Sequence, residues 1–221
     1  MKKFVIFDLD DTLVDSTGAI DRWFVELTEQ RGLGPEGLEF LREEQNRPVS
    51  ADESFRAIVD HFGFSESPAE LRRVFSEQMP LLVRTVEGVL ENLLVVREHG
   101  WRTALLTNGT EQQQRPKMRD NLHDLFDVVC FADDEVASKP APEIFRIVAQ
   151  RAAEELEGGW MVGDSLEHDI AGASALGMRT IWVSGGRALP TGGPVPGEVV
   201  KTVTEAFPIL LPEGRSGLPR G

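Results

Sequence analysis

Near the start of the chain an apolar run ends in three carboxylates: Phe4-Val5-Ile6-Phe7 leads into Asp8-Leu9-Asp10-Asp11-Thr12. Apolar on both faces, the run reads as a strand buried in a parallel sheet. Side chains alternate along a strand, so Asp8 and Asp10 leave on the same side. Like charges that close repel, so either a cation sits between them or one is protonated. Open α/β sheets bind ligands at the carboxyl ends of their strands. A cation-dependent reaction centre is the chemistry these residues can carry.

Further polar residues stand where other apolar runs stop. Thr107-Asn108 closes the run from Thr103, Lys139 follows Val128–Phe131, and Asp164 and Asp169 follow Gly159–Gly163. A parallel sheet gathers such ends at one edge, so residues far apart in sequence converge. Carboxylates at that density call for a hard divalent ion, and few protein ligands plus several waters suit magnesium. Backbone amides after Thr107 and Asp164, at helix N-termini, suit an anion such as phosphate. Together these point to phosphoryl transfer.

The elements that must position them follow from periodicity. Asp15-Ser16-Thr17 can cap a helix to about Gln30, with Ile20, Phe24 and Leu27 on one face. Helical patterns then cover Glu36–Glu44, Glu53–Phe62 and Ala69–Gln78, and no strand interrupts them. From Glu87 strands and helices alternate. A helix over Val89–His99 precedes the Thr103–Thr107 strand, and Thr110-Glu111-Gln112-Gln113 forms a capping box for the next helix. Strands at Val128–Phe131, Gly159–Gly163 and Arg179–Val183 alternate with helices ending at Ala153 and Leu176. That rhythm predicts an α/β fold, a Rossmann-like parallel sheet with right-handed crossovers and a helical domain inserted after the first strand. The expected division is a core of residues 1–15 and 84–211, a helical insert of 16–83 and a flexible tail of 212–221. Ala188–Gly197 reads as loop, and a short helix is expected over Val199–Leu211.

Composition sets bounds. A formal net charge of −14 argues against binding a nucleic-acid backbone, which needs clustered Lys and Arg. No apolar run is long enough to span a bilayer, and the opening Met1-Lys2-Lys3 leads directly into the first strand rather than a secretory leader. Cys130 is the only cysteine, which excludes an intrachain disulfide and a multi-cysteine zinc site. A cytoplasmic enzyme is the expectation.

The motifs resemble those of the haloacid dehalogenase superfamily of phosphatases, in order and over nearly the whole chain. Asp8-Leu9-Asp10-Asp11-Thr12 is similar to its Asp-x-Asp-x-Thr motif, and Leu105-Leu106-Thr107-Asn108-Gly109 to its strand ending in Thr or Ser. Lys139-Pro140 matches its Lys motif, and Gly163-Asp164 with Asp169 its paired acids. The helical insert falls where the family's cap sits. The resemblance implies Asp8 as nucleophile, forming a transient aspartyl phosphate, and Asp10 as the acid and base that serves the leaving oxygen and then water. It implies magnesium held by Asp8, the backbone carbonyl of Asp10, and Asp164. Thr107 and Asn108 would bind the phosphoryl oxygens, Lys139 would stabilise their charge, and Asp169 would orient the metal site or pair with Lys139. The substrate class implied is a small phosphorylated metabolite: a nucleotide, a sugar phosphate or a phosphoglycolate-like acid.

Other residues have plainer readings. Asp11 and Asp15 fit a hinge or cap, His168 a surface helix, and Cys130 a small buried strand position. Trp23 and Phe24 suit either a substrate-facing surface or a helical core, and Arg22, Arg47, Arg56 and Arg84 are candidate anion contacts. Gln114 and Lys117, after the Thr-Asn-Gly turn, resemble the branch that holds nucleotidases and sialic-acid-phosphate phosphatases. Alternatives are a sugar phosphomutase of the same superfamily and, from a different class, a non-catalytic phosphoacceptor. Asp10 speaks against the dehalogenase branch, where no leaving oxygen needs a proton.

Overall fold

In the computed structural model, which describes residues 2–211, the chain divides into two compact units that part between residues 15 and 16 and again between 84 and 85. The tail expected over 212–221 lies outside the described residues.

The larger unit is built on strands β1 (Phe4–Phe7), β2 (Arg102–Thr107), β3 (Val128–Phe131), β4 (Trp160–Gly163), β5 (Arg179–Val183) and β6 (Glu198–Val200). They form one sheet in the order β3-β2-β1-β4-β5-β6, and every neighbouring pair is parallel. That order is the doubly wound, Rossmann-like arrangement, whose direction of winding reverses at β1 and β4. β1 is central and apolar on both faces, as a fully covered strand must be. Phe4 and Ile6 face a core shared with Leu106, Cys130 and Met161 and with Ile144, Phe145 and Val148. Those last three belong to a helix over Pro142–Ala152. Phe7, of opposite parity, meets the rings of Phe126 and Phe207 at 6.2 and 5.8 Å. Each such buried side chain contributes on the order of 1.5–3 kcal/mol.

Two sequence expectations give way. Residues Val199–Leu211 do not form one helix. Glu198–Val200 is instead the edge strand β6, followed by a 3-10 turn and a four-residue helix, Phe207–Leu210. The three-residue strand carries one buried side chain, Val200, so no alternating pattern could announce it. The helix expected from Asp164 to Leu176 is a π-type turn, Leu166–Ala171, followed by one α-turn, Gly172–Ser174.

The second unit holds four helices: α1 (Ser16–Arg31), α2 (Gly34–Gln45), α3 (Ala51–Phe62) and α4 (Pro68–Leu82). Ser50 and Ser67 cap α3 and α4 with reciprocal capping boxes to Glu53 and Glu70. α4 runs past the expected Gln78 with Pro80 inside it. Its core gathers Trp23, Leu27, Leu41, Phe55, Ile58 and Leu71. Trp23 lies edge-on to Phe75 at 5.1 Å and donates its indole N–H to Gln78 Oε1 at 2.9 Å. No helix among the described residues is long and apolar enough to cross a membrane.

Candidate active site

Just past β1 the chain makes a tight turn in which Leu9 O accepts the amides of Leu13 and Val14, at 2.9 and 3.1 Å. Asp11 takes a left-handed backbone, φ 53°. The turn leaves Asp8 inside the sheet, its amide donating to Val162 O at 2.9 Å, and sends Asp10 outward to a half-buried position. Asp8, Asp10, Thr107, Asn108, Lys139, Asp164 and Asp169 all border one cleft of about 160 Å³ at the strand ends where the sheet's winding reverses. Asp11, Ser165 and His168 complete its rim. His168 is exposed, with Ser165 Oγ 3.2 Å from its Nδ1.

The buried centre is a triad. Lys139 Nζ donates to Asp8 Oδ1 at 2.5 Å and to Asp169 Oδ1 at 2.7 Å, with all three residues almost fully enclosed. Asp169 Oδ2 accepts the Ser165 amide at 3.0 Å, and the close approach of Asp169 to β4 depends on Gly163. A Cβ there would lie 2.3 Å from that Oδ2. Across the cleft, Asn108 brackets Lys139: its Nδ2 donates to Lys139 O at 3.0 Å and its Oδ1 accepts the Lys139 amide at 2.9 Å. These two bonds tie the end of β2 to the loop after β3.

The carboxylates outnumber the cations, and their electrostatics show it. Burial pushes the Asp8 carboxyl up to about 8; Lys139 draws it back down, while Asp169 and Asp10 add repulsion. Burial, then Asp169, pushes Asp164 up to about 6 against the opposing pull of Arg187. Burial works against the Lys139 ammonium, yet the Asp169 and Asp8 charges overcome it and hold Lys139 above the ordinary lysine range. Oxygens of Asp8, Asp164 and Asp169 lie within 4.8 Å of one another. An all-oxygen donor set, dehydrated and short of positive charge, fits a hard divalent ion.

The expected ligand set joins Asp8 and Asp164 with the backbone carbonyl of Asp10. The carboxylate cluster is Asp8, Asp164 and Asp169, and the Asp10 carboxylate meets other donors. Lys117 Nζ donates to its Oδ1 and Gln114 Nε2 to its Oδ2, both at 2.7 Å. Asp169 has both oxygens engaged, Oδ1 by Lys139 and Oδ2 by the Ser165 amide. The helix start expected after Thr107 is short. The helix after Thr107 is only Glu111–Gln114 before it tightens into a 3-10 turn, so its dipole is small. The Ser165 amide is already taken by Asp169.

Sequence reasoning missed Arg187. It donates from Nη2 to Asp164 Oδ2 at 3.0 Å and to Asp164 O at 2.7 Å, and its guanidinium lies 5.6 Å from the Trp182 ring centre. It follows the end of β5, so the rule that located the other groups, polar residues past apolar runs, could have found it. Trp23 and Phe24 are buried in the helical core. Arg22 donates to Leu82 O at 3.0 Å, and Arg47 pairs with the buried Glu44 at 2.7 Å. A wider cleft of about 330 Å³ beside β3 is lined by Arg115 and Arg151, each already paired with a carboxylate, Glu111 and Glu135.

Comparison with known proteins gives the chain a family. The description "haloacid dehalogenase-like hydrolase" matches residues 5–183. A glyceraldehyde 3-phosphate phosphatase of Pyrococcus abyssi is 31% identical, over 85% of this chain and 83% of the relative. The N-acylneuraminate-9-phosphatase of Mus musculus is 30% identical, over 94% and 92%. The HAD-hydrolase YfnB of Bacillus subtilis, solved with magnesium bound, shares the fold at a TM-score of 0.76 and 21% identity, over 95% of this chain and 98% of that one. The chain belongs to the haloacid dehalogenase-like hydrolase family and is an enzyme of its phosphoric monoester hydrolase side.

Proposed function

We propose that this enzyme is a magnesium-dependent phosphatase that hydrolyses a small phosphate monoester through an aspartyl-phosphate intermediate on Asp8. The observation that carries the reading is the convergence of Asp8, Asp10, Thr107, Lys139 and Asp164 on one cleft. Asp8 attacks phosphorus as its carboxylate, the form that Lys139 favours against burial and that a bound cation would favour further, so no accessory base is required. As the bond to the leaving oxygen breaks, Asp10 gives that oxygen a proton and the alcohol departs. Water then attacks the phosphorus, Asp10 takes the water's proton, and the acyl–phosphate bond breaks to restore Asp8. Thr107 and Asn108 hold the phosphoryl oxygens, and Lys139, already at hydrogen-bond distance from Asp8, stabilises the charge that develops on them. Asp8, Asp164 and the backbone carbonyl of Asp10 would hold magnesium, which when bound supplies the positive charge that lets a carboxylate approach a phosphate dianion. Asp169 keeps Lys139 in place from below.

The substrate is a small phosphorylated metabolite, a class supported by relatives named for glyceraldehyde 3-phosphate, N-acylneuraminate 9-phosphate and phosphoglycolate. A cytoplasmic setting accords with the single, unpaired cysteine. The helical unit is proposed as the cap that selects among these esters.

The test is direct. Asp8→Asn should lower phosphate release at least ~10⁴-fold while leaving the circular dichroism spectrum intact, a loss of about 5.5 kcal/mol of transition-state stabilisation. Retained turnover would rule out Asp8 as nucleophile. EDTA should silence the native enzyme and magnesium restore it.

A further inference from the structure

Asp10 is more exposed than the other proposed catalytic residues, Asp8 and Lys139. It stands outside the sheet, on a turn, with its side chain about a third exposed. A group that must deliver a proton to one oxygen and later remove one from water has to be held within a narrow range of orientation. Two of the residues that hold it come from a single short segment. Lys117 Nζ takes Asp10 Oδ1 and Gln114 Nε2 takes Oδ2, both at 2.7 Å, so each carboxylate oxygen has its own donor.

The local sequence is built for this. Gln114 ends the four-residue helix and Lys117 ends the 3-10 turn Arg115–Lys117 that continues it. Residues three apart eclipse one another in 3-10 geometry, which puts both side chains on one face. Gln114 is almost fully buried, and its Nε2 also lies 2.7 Å from Thr107 Oγ1 and from Asn108 O. Asn108 O and the Asp10 carboxylate can only accept, which fixes the amide with its nitrogen toward them. Its oxygen, Gln114 Oε1, is buried without a hydrogen-bond partner. Leaving a buried acceptor unpaired costs stability, so the side chain is held there against its own preference. Gly109 makes room for it. With φ +120°, a Cβ at that position would lie 3.1 Å from Gln114 Cγ and Nε2.

Building on the reading of Asp10 as general acid and base, we propose that Lys117 and Gln114 are positioning residues, a two-point clamp that aims the Asp10 carboxyl at the leaving oxygen. Gln114 also links that aim to Thr107, so the proton donor and the phosphoryl-binding hydroxyl are set by one side chain. Neither residue is asked to touch substrate.

The clamp is tested by the leaving group. Nitrophenolate departs without a proton, whereas an alkoxide needs one. Single-turnover release is therefore measured with p-nitrophenyl phosphate and with an alkyl phosphate that the native enzyme hydrolyses, for Lys117→Met, Gln114→Leu, Lys117→Arg and Asp10→Asn. For Lys117→Met and Gln114→Leu the rate on the alkyl ester should fall at least tenfold more than on the nitrophenyl ester, with KM changed less than threefold. Lys117→Arg, which keeps a donor and a charge, should recover most of the loss. Equal losses on both esters, or no loss, would overturn the clamp while leaving Asp8 chemistry intact. If Asp10→Asn itself shows no leaving-group split, the assignment of Asp10 fails first and takes the clamp with it.

Discussion

Gly163 shows how much of the site rests on a missing atom. Asp169 approaches β4 so closely that a methyl group there would overlap its carboxyl carbon at 2.4 Å. Gly163→Ala should therefore push Asp169 off Lys139 and leave the ammonium held by Asp8 alone. The expected stability loss is about 1–3 kcal/mol, the usual cost of overpacking, seen as a lower denaturant midpoint. Activity should fall much further than stability, because Lys139 loses the anchor that keeps it in place. A variant that lost stability and kept its turnover would contradict this role for Asp169. At this scale the sequence was legible wherever a polar residue followed an apolar run. Asp8, Thr107, Lys139 and Asp164 all sit on the cleft as that rule requires. The pairings were not legible. Whether Lys117 reaches Asp10 depends on a turn tightening from α to 3-10, and whether Arg187 reaches Asp164 depends on a loop leaving β5.

At the scale of elements, the long helices and the buried strands announced themselves, because burial on one face or on both leaves a pattern in apolar residues. Short elements did not. β6 has three residues and Gly172–Ser174 one turn, and both owe their form to neighbours rather than to local preference. The helical unit stands on a core of its own, to which Phe55 belongs, 6.4 Å from the Trp23 ring. Phe55→Ala should destabilise that unit by about 3–5 kcal/mol. Trp23 fluorescence followed through denaturation in a variant lacking Trp101, Trp160 and Trp182 reads that unit alone. An unchanged midpoint would mean that the aromatic cluster contributes little to its stability.

For the whole molecule, the telling feature is the place of β1. It is the first strand in the chain and the middle of the sheet, hydrogen-bonded to β2 on one side and β4 on the other. Its partners lie about a hundred and more than a hundred and fifty residues further along. During synthesis, Phe4-Val5-Ile6-Phe7 leaves the ribosome long before Trp160–Gly163 exists to pair with it. An apolar strand with two open edges is an aggregation hazard. A chain stopped after residue 150 should bind the dye ANS and sediment as aggregates, whereas one that reaches residue 211 should do neither; a soluble, dye-silent fragment would refute this. Asp8, the proposed nucleophile, thus waits at the end of a half-paired strand until a partner made more than 150 residues later arrives to close the sheet beside it.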